Sequence, residues 1–377
     1  MTLGSTGSAD ERSWLNFDVH GLAGIRVQSD APTARQLSTM LACFATGRRV
    51  RDDIVVTPVH EPMPEAGWVE REFGYTEQAV LFPEERVQVV KAPNAWRIHG
   101  SGELLTALVP VLDRCMTERG AAMIHAATIS FRGHGIALPA AGGTGKTSTM
   151  AKLMKRPEFG FMGDDWAFVT GDGTMLGFEK PMFIKPHHRP IYPHLFSGTR
   201  KPLVPRALSR PVGKLTTLVH PTIIRYPHLA DVVRRWSPEH RMVAPRKALP
   251  GATFTPTAPL AAAIYIERYD GAATRLVERS QAWMVDRMIG NFHIEMAGFS
   301  QHVVAAMAAS NVVPAFRHFS EKAALLSNAL QDLPCMVLRV PRVYSADTAS
   351  DDIVAVLTDL LPSLIPTETP RRQDVLR

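Results

Sequence analysis

The chain has 377 residues, 45% hydrophobic and 21% charged, the balance of a globular protein with one large domain or two unequal ones. Its longest apolar stretches, 120–129 and 259–266, fall well short of the roughly 18 residues a membrane-spanning helix requires, so no membrane partner is expected. Lys and Arg number 42 against 36 Asp and Glu, a net charge of +6.

That excess is unevenly placed. No Asp or Glu occurs between Glu179 and Asp231, a stretch that holds nine Lys/Arg residues and five His. Such a field attracts phosphates or an acidic partner, and it is equally compatible with a solvated, proline-punctuated surface. Without regular aromatic interleaving or a groove-reading module, nucleic acid is not expected. The cysteines, Cys43, Cys115 and Cys335, are far apart and form no CxxC pair, which fits a reducing compartment. Residues 1–13 lack the basic start and apolar core of a secretory signal and read as a polar tail. A cytoplasmic location is therefore expected.

Taken in order, the chain offers short strands at Ile54 to Val59, Ala79 to Phe82 and Val87 to Val90, separated by Pro/Gly-rich turns. Leu104, Leu105, Leu108, Val111, Leu112 and Cys115 fall at helical spacing and predict a helix over 103–118, with Pro110 as a kink point. Met123 to Phe131 and Ile136 to Leu138 predict two strands around the turn Gly133-His134-Gly135. A helix is expected over Thr147 to Lys155, then strands at Phe159 to Met162 and Trp166 to Thr170. Gly171-Asp172-Gly173 closes a hairpin onto Met175 to Phe178. Residues 197–215 and 244–258 read as long loops, and Ala261 to Glu267 as a strand. Helical patterns follow at Gln281 to Met296, His302 to Ala309 and Glu321 to Leu330, then a strand at Met336 to Val340 and a helix at Asp351 to Leu361. The expected organisation is a tail (1–13), a strand-rich region with a packing helix (14–115), a core (116–365) and a second tail (366–377).

Chemistry concentrates in the middle. Ala140-Ala141-Gly142-Gly143-Thr144-Gly145-Lys146-Thr147 fits the phosphate-binding loop (P-loop, Walker A) with Ala in place of the first Gly. Glycines let successive N–H groups turn toward phosphate oxygens, Lys146 reaches the β- and γ-phosphates, and the Thr147 hydroxyl suits Mg²⁺. Ser148 continues into the helix, whose N-terminal dipole favours an anion. Downstream, Gly163-Asp164-Asp165 brings two carboxylates to an apparent strand end, suited to holding a metal and handling a hydroxyl proton. Successive strand side chains diverge, however, and an Asp-capped surface turn is the bland alternative. His125, in an apolar strand, is by itself as well explained as a core histidine.

Together, Ile124-His125-Ala126, Gly133-His134-Gly135-Ile136, Gly145-Lys146-Thr147 and Gly163-Asp164-Asp165 resemble the HPr kinase/phosphorylase family in order and spacing, over roughly residues 105 to 185. The resemblance implies an α/β (α+β) fold shared with phosphoenolpyruvate carboxykinases, a mixed β-rich P-loop core with a helical C-terminal part. It implies a homo-oligomer, ATP and Mg²⁺ as cofactors, and a catalytic centre of His125, Lys146, Thr147, Asp164 and Asp165. One aspartate would be the base and the other a metal ligand; Asp165 is the preferred base, with the order left open. The family's later glycine-rich signature with its acidic residue has no counterpart, and Lys185-Pro186-His187-His188-Arg189 stands there instead. The chain is therefore similar to divergent members acting on free serine or biosynthetic peptides. The expected activity is transfer of the γ-phosphate of ATP to a hydroxyl on an anionic small molecule or peptide. A carboxykinase-type lyase, or a non-catalytic nucleotide-binding module of a biosynthetic assembly, is the alternative.

Overall fold

The computed structural model describes residues 14–28, 34–69, 72–102, 104–184, 188–196, 241–296, 298–313 and 315–365. Most of the acid-free basic run, including the loop expected at 197–215, lies outside the described residues, as do both expected tails. The chain divides into two compact units, one formed by residues up to Lys180 together with those from Gly251 onward, the other by Pro181–Pro250.

In the larger unit, nine strands form the first sheet: β1 (Trp14–Val19), β2 (Ala23–Gln28), β3 (Ala45–Thr46), β4 (Ile54–Thr57), β5 (Gly67–Val69), β6 (Phe73–Tyr75), β7 (Ala79–Phe82), β8 (Val87–Ala92) and β9 (Ala95–Gly100). Their order is β3-β1-β2-β4-β9-β8-β7-β6-β5, with β4 parallel to both β2 and β9 and an antiparallel meander from β5 to β9. Helix α1 (Ala34–Met40) buries Leu37 against this sheet's core. Helix α2 (Leu104–Glu118) runs unbroken through Pro110 and is buried along nearly its whole length, so polar Asp113 and Arg114 enter the interior with it.

The second sheet begins with β10 (Ala121–Phe131), mostly apolar and buried at every position, His125, Thr128 and Ser130 included. It continues with β11 (His134–Pro139), β12 (Phe159–Thr170) and β13 (Thr174–Gly177); helix α3 (Lys146–Leu153) lies between β11 and β12. In the smaller unit, β14 (Met182–Ile184) and β15 (Arg241–Val243) pair antiparallel, accompanied by α4 (Pro193–Phe196) and α5 (Pro245–Ala248), and Tyr192 is buried there between the rings of His188 and His194. Back in the larger unit come β16 (Thr253–Phe254), β17 (Thr257–Tyr269), β18 (Arg275–Glu278), α6 (Gln281–Glu295), α7 (Gly298–Ala309), α8 (Ala315–Ala329), β19 (Cys335–Pro341) and α9 (Ala346–Leu364). Long β17 pairs in turn with β13, β11 and β19, so the pairings β11–β10–β12–β13–β17–β11 close on themselves. The fold is thus mixed α and β, rich in sheet, and no helix among the described residues is long and apolar enough to cross a membrane.

Three expectations need correction. Gly163-Asp164-Asp165 is not a strand end: β12 runs through it, because β10 supplies pairing partners all along that segment. Residues 244–258 are not one loop. Ala244 caps α5, with Pro245 at its first position, and Thr253-Phe254 pairs parallel with Gly160-Phe161 of β12. Helix α6 begins at Gln281 as expected, but α7, α8 and α9 begin earlier than their apolar periodicity suggests; α9 starts where the Ser345 hydroxyl accepts from the Thr348 N–H at 3.1 Å.

One polar cluster is wholly internal. Asp113 of α2 accepts from Lys322 of α8 at 2.7 and 2.9 Å and faces His318 Nε2 at 3.0 Å. The Lys322 ammonium also lies 3.7 Å from the ring centre of Phe292.

Candidate active site

The glycine loop leaves β11 at Ala140, which bridges to Ile266 of β17. Gly143 (φ 79°) and Gly145 (φ 108°) take left-handed conformations that a side chain would strain, and Gly145 is the N-cap of α3. The Gly142 N–H donates to Oε1 of Glu295 at 2.7 Å, so a carboxylate rests on the loop's backbone. Thr144 Oγ1 donates to the Ala141 carbonyl at 3.0 Å. Lys146 curls over its own loop, its ammonium 2.5 Å from the Ala140 carbonyl and 3.1 Å from that of Ala141. Thr147 and Ser148 open α3, and Ser148 is buried.

Seventeen residues after Thr147, Asp164 accepts a hydrogen bond from its hydroxyl: Thr147 Oγ1 to Asp164 Oδ2 is 3.1 Å. The other oxygen, Oδ1, is buried with no hydrogen-bond partner among the described residues. Burial, followed by the neighbouring Asp165 charge, pushes the Asp164 carboxyl up to about 7.

Asp165 has φ 120°, a left-handed value in the middle of a strand, and the alternation of side chains fails there. Both carboxylates consequently find partners around the loop, instead of diverging as regular strand geometry requires. Asp165 Oδ2 accepts from Lys180 at 2.6 Å, and Oδ1 lies 3.7 Å from His125 Nε2. Burial alone would raise this carboxyl, but the His125 ring and the Lys180 ammonium more than offset it and hold the group below the usual carboxylate range.

His125 projects from β10, and its Nδ1 faces the Asn291 amide nitrogen at 3.1 Å. The structure therefore brings His125, Lys146, Thr147, Asp164 and Asp165 together with Gly142 to Gly145. His134 sits apart at the start of β11, bonded to the Arg132 carbonyl.

Three residues in this cluster escaped the sequence reading. Lys180 was absorbed into the basic run, although it directly follows the β13 hairpin that returns to the aspartates. Asn291 sits on the apolar stripe Met284, Val285, Met288, Phe292 of α6, and a polar amide on such a stripe is the signal that could have revealed it. Glu295 lies one turn further along.

No group of three or more His, Cys, Asp or Glu forms a metal site among the described residues. The Thr147 hydroxyl and the Asp164 carboxylate are nevertheless the oxygen donors that a small divalent cation takes while keeping several waters. The cluster can seat an anion on backbone amides beside a cation, two carboxylates and a histidine. No protein-family model matches the chain, and no curated protein is significantly similar to it.

Proposed function

We propose that the chain is an ATP-dependent phosphotransferase that moves the γ-phosphate to a hydroxyl on an anionic small molecule or peptide, with a P-loop core of the HPr kinase-like kind. The observation that carries this reading is the 3.1 Å contact between Thr147 and Asp164, which joins the glycine loop to the acid pair and leaves a buried carboxylate oxygen free beside them. Glu295 on the Gly142 N–H supports it further, because the amide already holds an anionic oxygen.

In this mechanism the amides of 142–147 and the α3 N-terminus bind the nucleotide phosphates, and Lys146 exchanges its contacts on Ala140 and Ala141 for phosphate oxygens. Mg²⁺, held by Thr147 Oγ1 and Asp164, would neutralise phosphate charge. Asp165, kept ionised by Lys180 and oriented by His125, accepts a hydrogen bond from the acceptor hydroxyl. As the new O–P bond forms and the bond to the β-phosphate oxygen breaks, releasing ADP, the hydroxyl proton passes to Asp165. A carboxylate of depressed basicity takes that proton late, which suits a loose transition state.

The test is ADP formation from Mg²⁺-ATP by the purified protein, with and without small-molecule and peptide fractions of a cell extract, alongside Lys146→Ala. Acceptor-dependent turnover lost in the variant, with a phosphorylated product found by mass spectrometry, is expected. Tight nucleotide binding without turnover in any fraction would overturn the proposal in favour of a binding module, and dependence on an oxo-acid with CO₂ release in favour of a lyase.

A further inference from the structure

The Asn291 amide nitrogen, with two N–H bonds to give, lies beside three groups. Its amide nitrogen lies 2.9 Å from the His125 carbonyl, 3.1 Å from His125 Nδ1 and 3.3 Å from the Ala140 carbonyl. Strand β11 pairs with β10 only from Ala126 onward, so the His125 carbonyl lies beyond the paired segment on that side, and Asn291 takes it. Two of the three are carbonyl oxygens, which only accept, so the amide turns its nitrogen rather than its oxygen toward the group, and that nitrogen has no lone pair with which to receive a ring N–H. The His125 Nδ1 facing that N–H must then carry a lone pair, and the ring proton belongs on Nε2. Nε2 is the nitrogen that faces Asp165 Oδ1, at 3.7 Å. With the opposite tautomer, two N–H groups would confront each other where Asn291 and His125 are only 5% and 7% exposed.

We propose that Asn291 is a positioning residue: it fixes the Nε2–H tautomer of His125, so that the imidazole presents a donor to Asp165 and leaves that carboxylate's other lone pairs for the acceptor hydroxyl. This rests on the phosphotransferase reading for its catalytic consequence, but not for the tautomer itself. One turn further along the same helix, Glu295 holds the Gly142 N–H. Helix α6 thus grips both the histidine strand and the first glycine of the loop, and sets one against the other.

The experiment is ¹⁵N NMR of the histidine rings in metal-free protein, with His125 assigned by the signals missing from His125→Gln. Wild type should show the Nε2–H pattern. Asn291→Asp, nearly identical in shape, accepts from Nδ1 and should convert His125 to Nδ1–H or to the doubly protonated ring. In turnover assays the same variant should lose about 10²-fold or more in kcat with the KM for ATP changed less than about 2-fold. If Asn291→Asp does not fold, Asn291→Ala replaces it, and mixed tautomers are expected. A wild-type ring protonated on Nδ1 overturns the proposal, as does an unchanged Nε2–H pattern in both variants. Should wild type lack activity with every acceptor, the phosphotransferase reading falls, and the NMR result still decides the role of Asn291.

Discussion

Lys180 reaches back fifteen residues to donate to Oδ2 of Asp165 at 2.6 Å, its ammonium 4.8 Å from the ring centre of Trp166. The contact joins the last residue before the smaller unit to the proposed base. Replacing Lys180 by Met should remove a charge-assisted hydrogen bond worth about 2 kcal/mol, visible as a lower urea midpoint. It should also slow turnover more than it weakens ATP binding, because Asp165 would lose the group that keeps it ionised. Lys180→Arg keeps the charge but not the point geometry, and should recover stability better than rate.

Thr147→Ala and Asp164→Asn act on the loop side of the centre. Each should weaken ADP binding in the presence of Mg²⁺ by about 10-fold or more while leaving the metal-free affinity nearly unchanged. Calorimetric titrations with Mg²⁺ and with EDTA make the comparison. Equal losses under both conditions would mean that these residues hold the phosphates rather than a cation.

The internal cluster of Asp113, His318 and Lys322 bears on stability. Asp113→Asn strands the Lys322 ammonium and should cost about 3–5 kcal/mol, whereas Asp113→Asn combined with Lys322→Met should restore much of it. Burial alone would raise the Asp113 carboxyl, but Lys322 and His318 more than offset this and hold it below its ordinary 3.8. A native value depressed below the unfolded one contributes stability that is present above about pH 3.8 and is lost as pH falls through the native value. The gap in urea midpoint between wild type and Asp113→Asn should therefore narrow in acid below pH 3.8.

Asp165 makes a backbone test possible. At φ 120° a glycine is relaxed and an alanine strained, so Asp165→Gly should be more stable than Asp165→Ala by about 1 kcal/mol, the reverse of the usual order in a strand. Both variants should be inactive. Thermal melts of the pair decide it, since both lose the same carboxylate.

The parts legible from sequence are those where one local signal agrees with its surroundings. The largely apolar β10, the glycines before Lys146 and the helical spacing of 104–115 all read directly. Gly-Asp-Asp has the composition of a turn, and only the long pairing of β12 with β10, invisible in local pattern, draws it into a strand. Strands β1, β2 and β9 mix polar residues such as Asn16, Arg26 and Arg97 into their alternation, so no local period marks them. Asn291 and Lys180 act on residues 166 and 15 positions away, distances at which periodicity carries no information.

The closed circuit of strands also decides where the centre can loosen. From Ala126 to Phe131, β10 is paired on both flanks, and such a segment has no edge from which to fray. Its amides should exchange with deuterium only when the whole unit unfolds, while those of the last turn of α6, beside half-exposed His293 and Glu295, should exchange through local opening. An anion seated on the Gly142 N–H would have to displace Glu295, at the end of that helix, first.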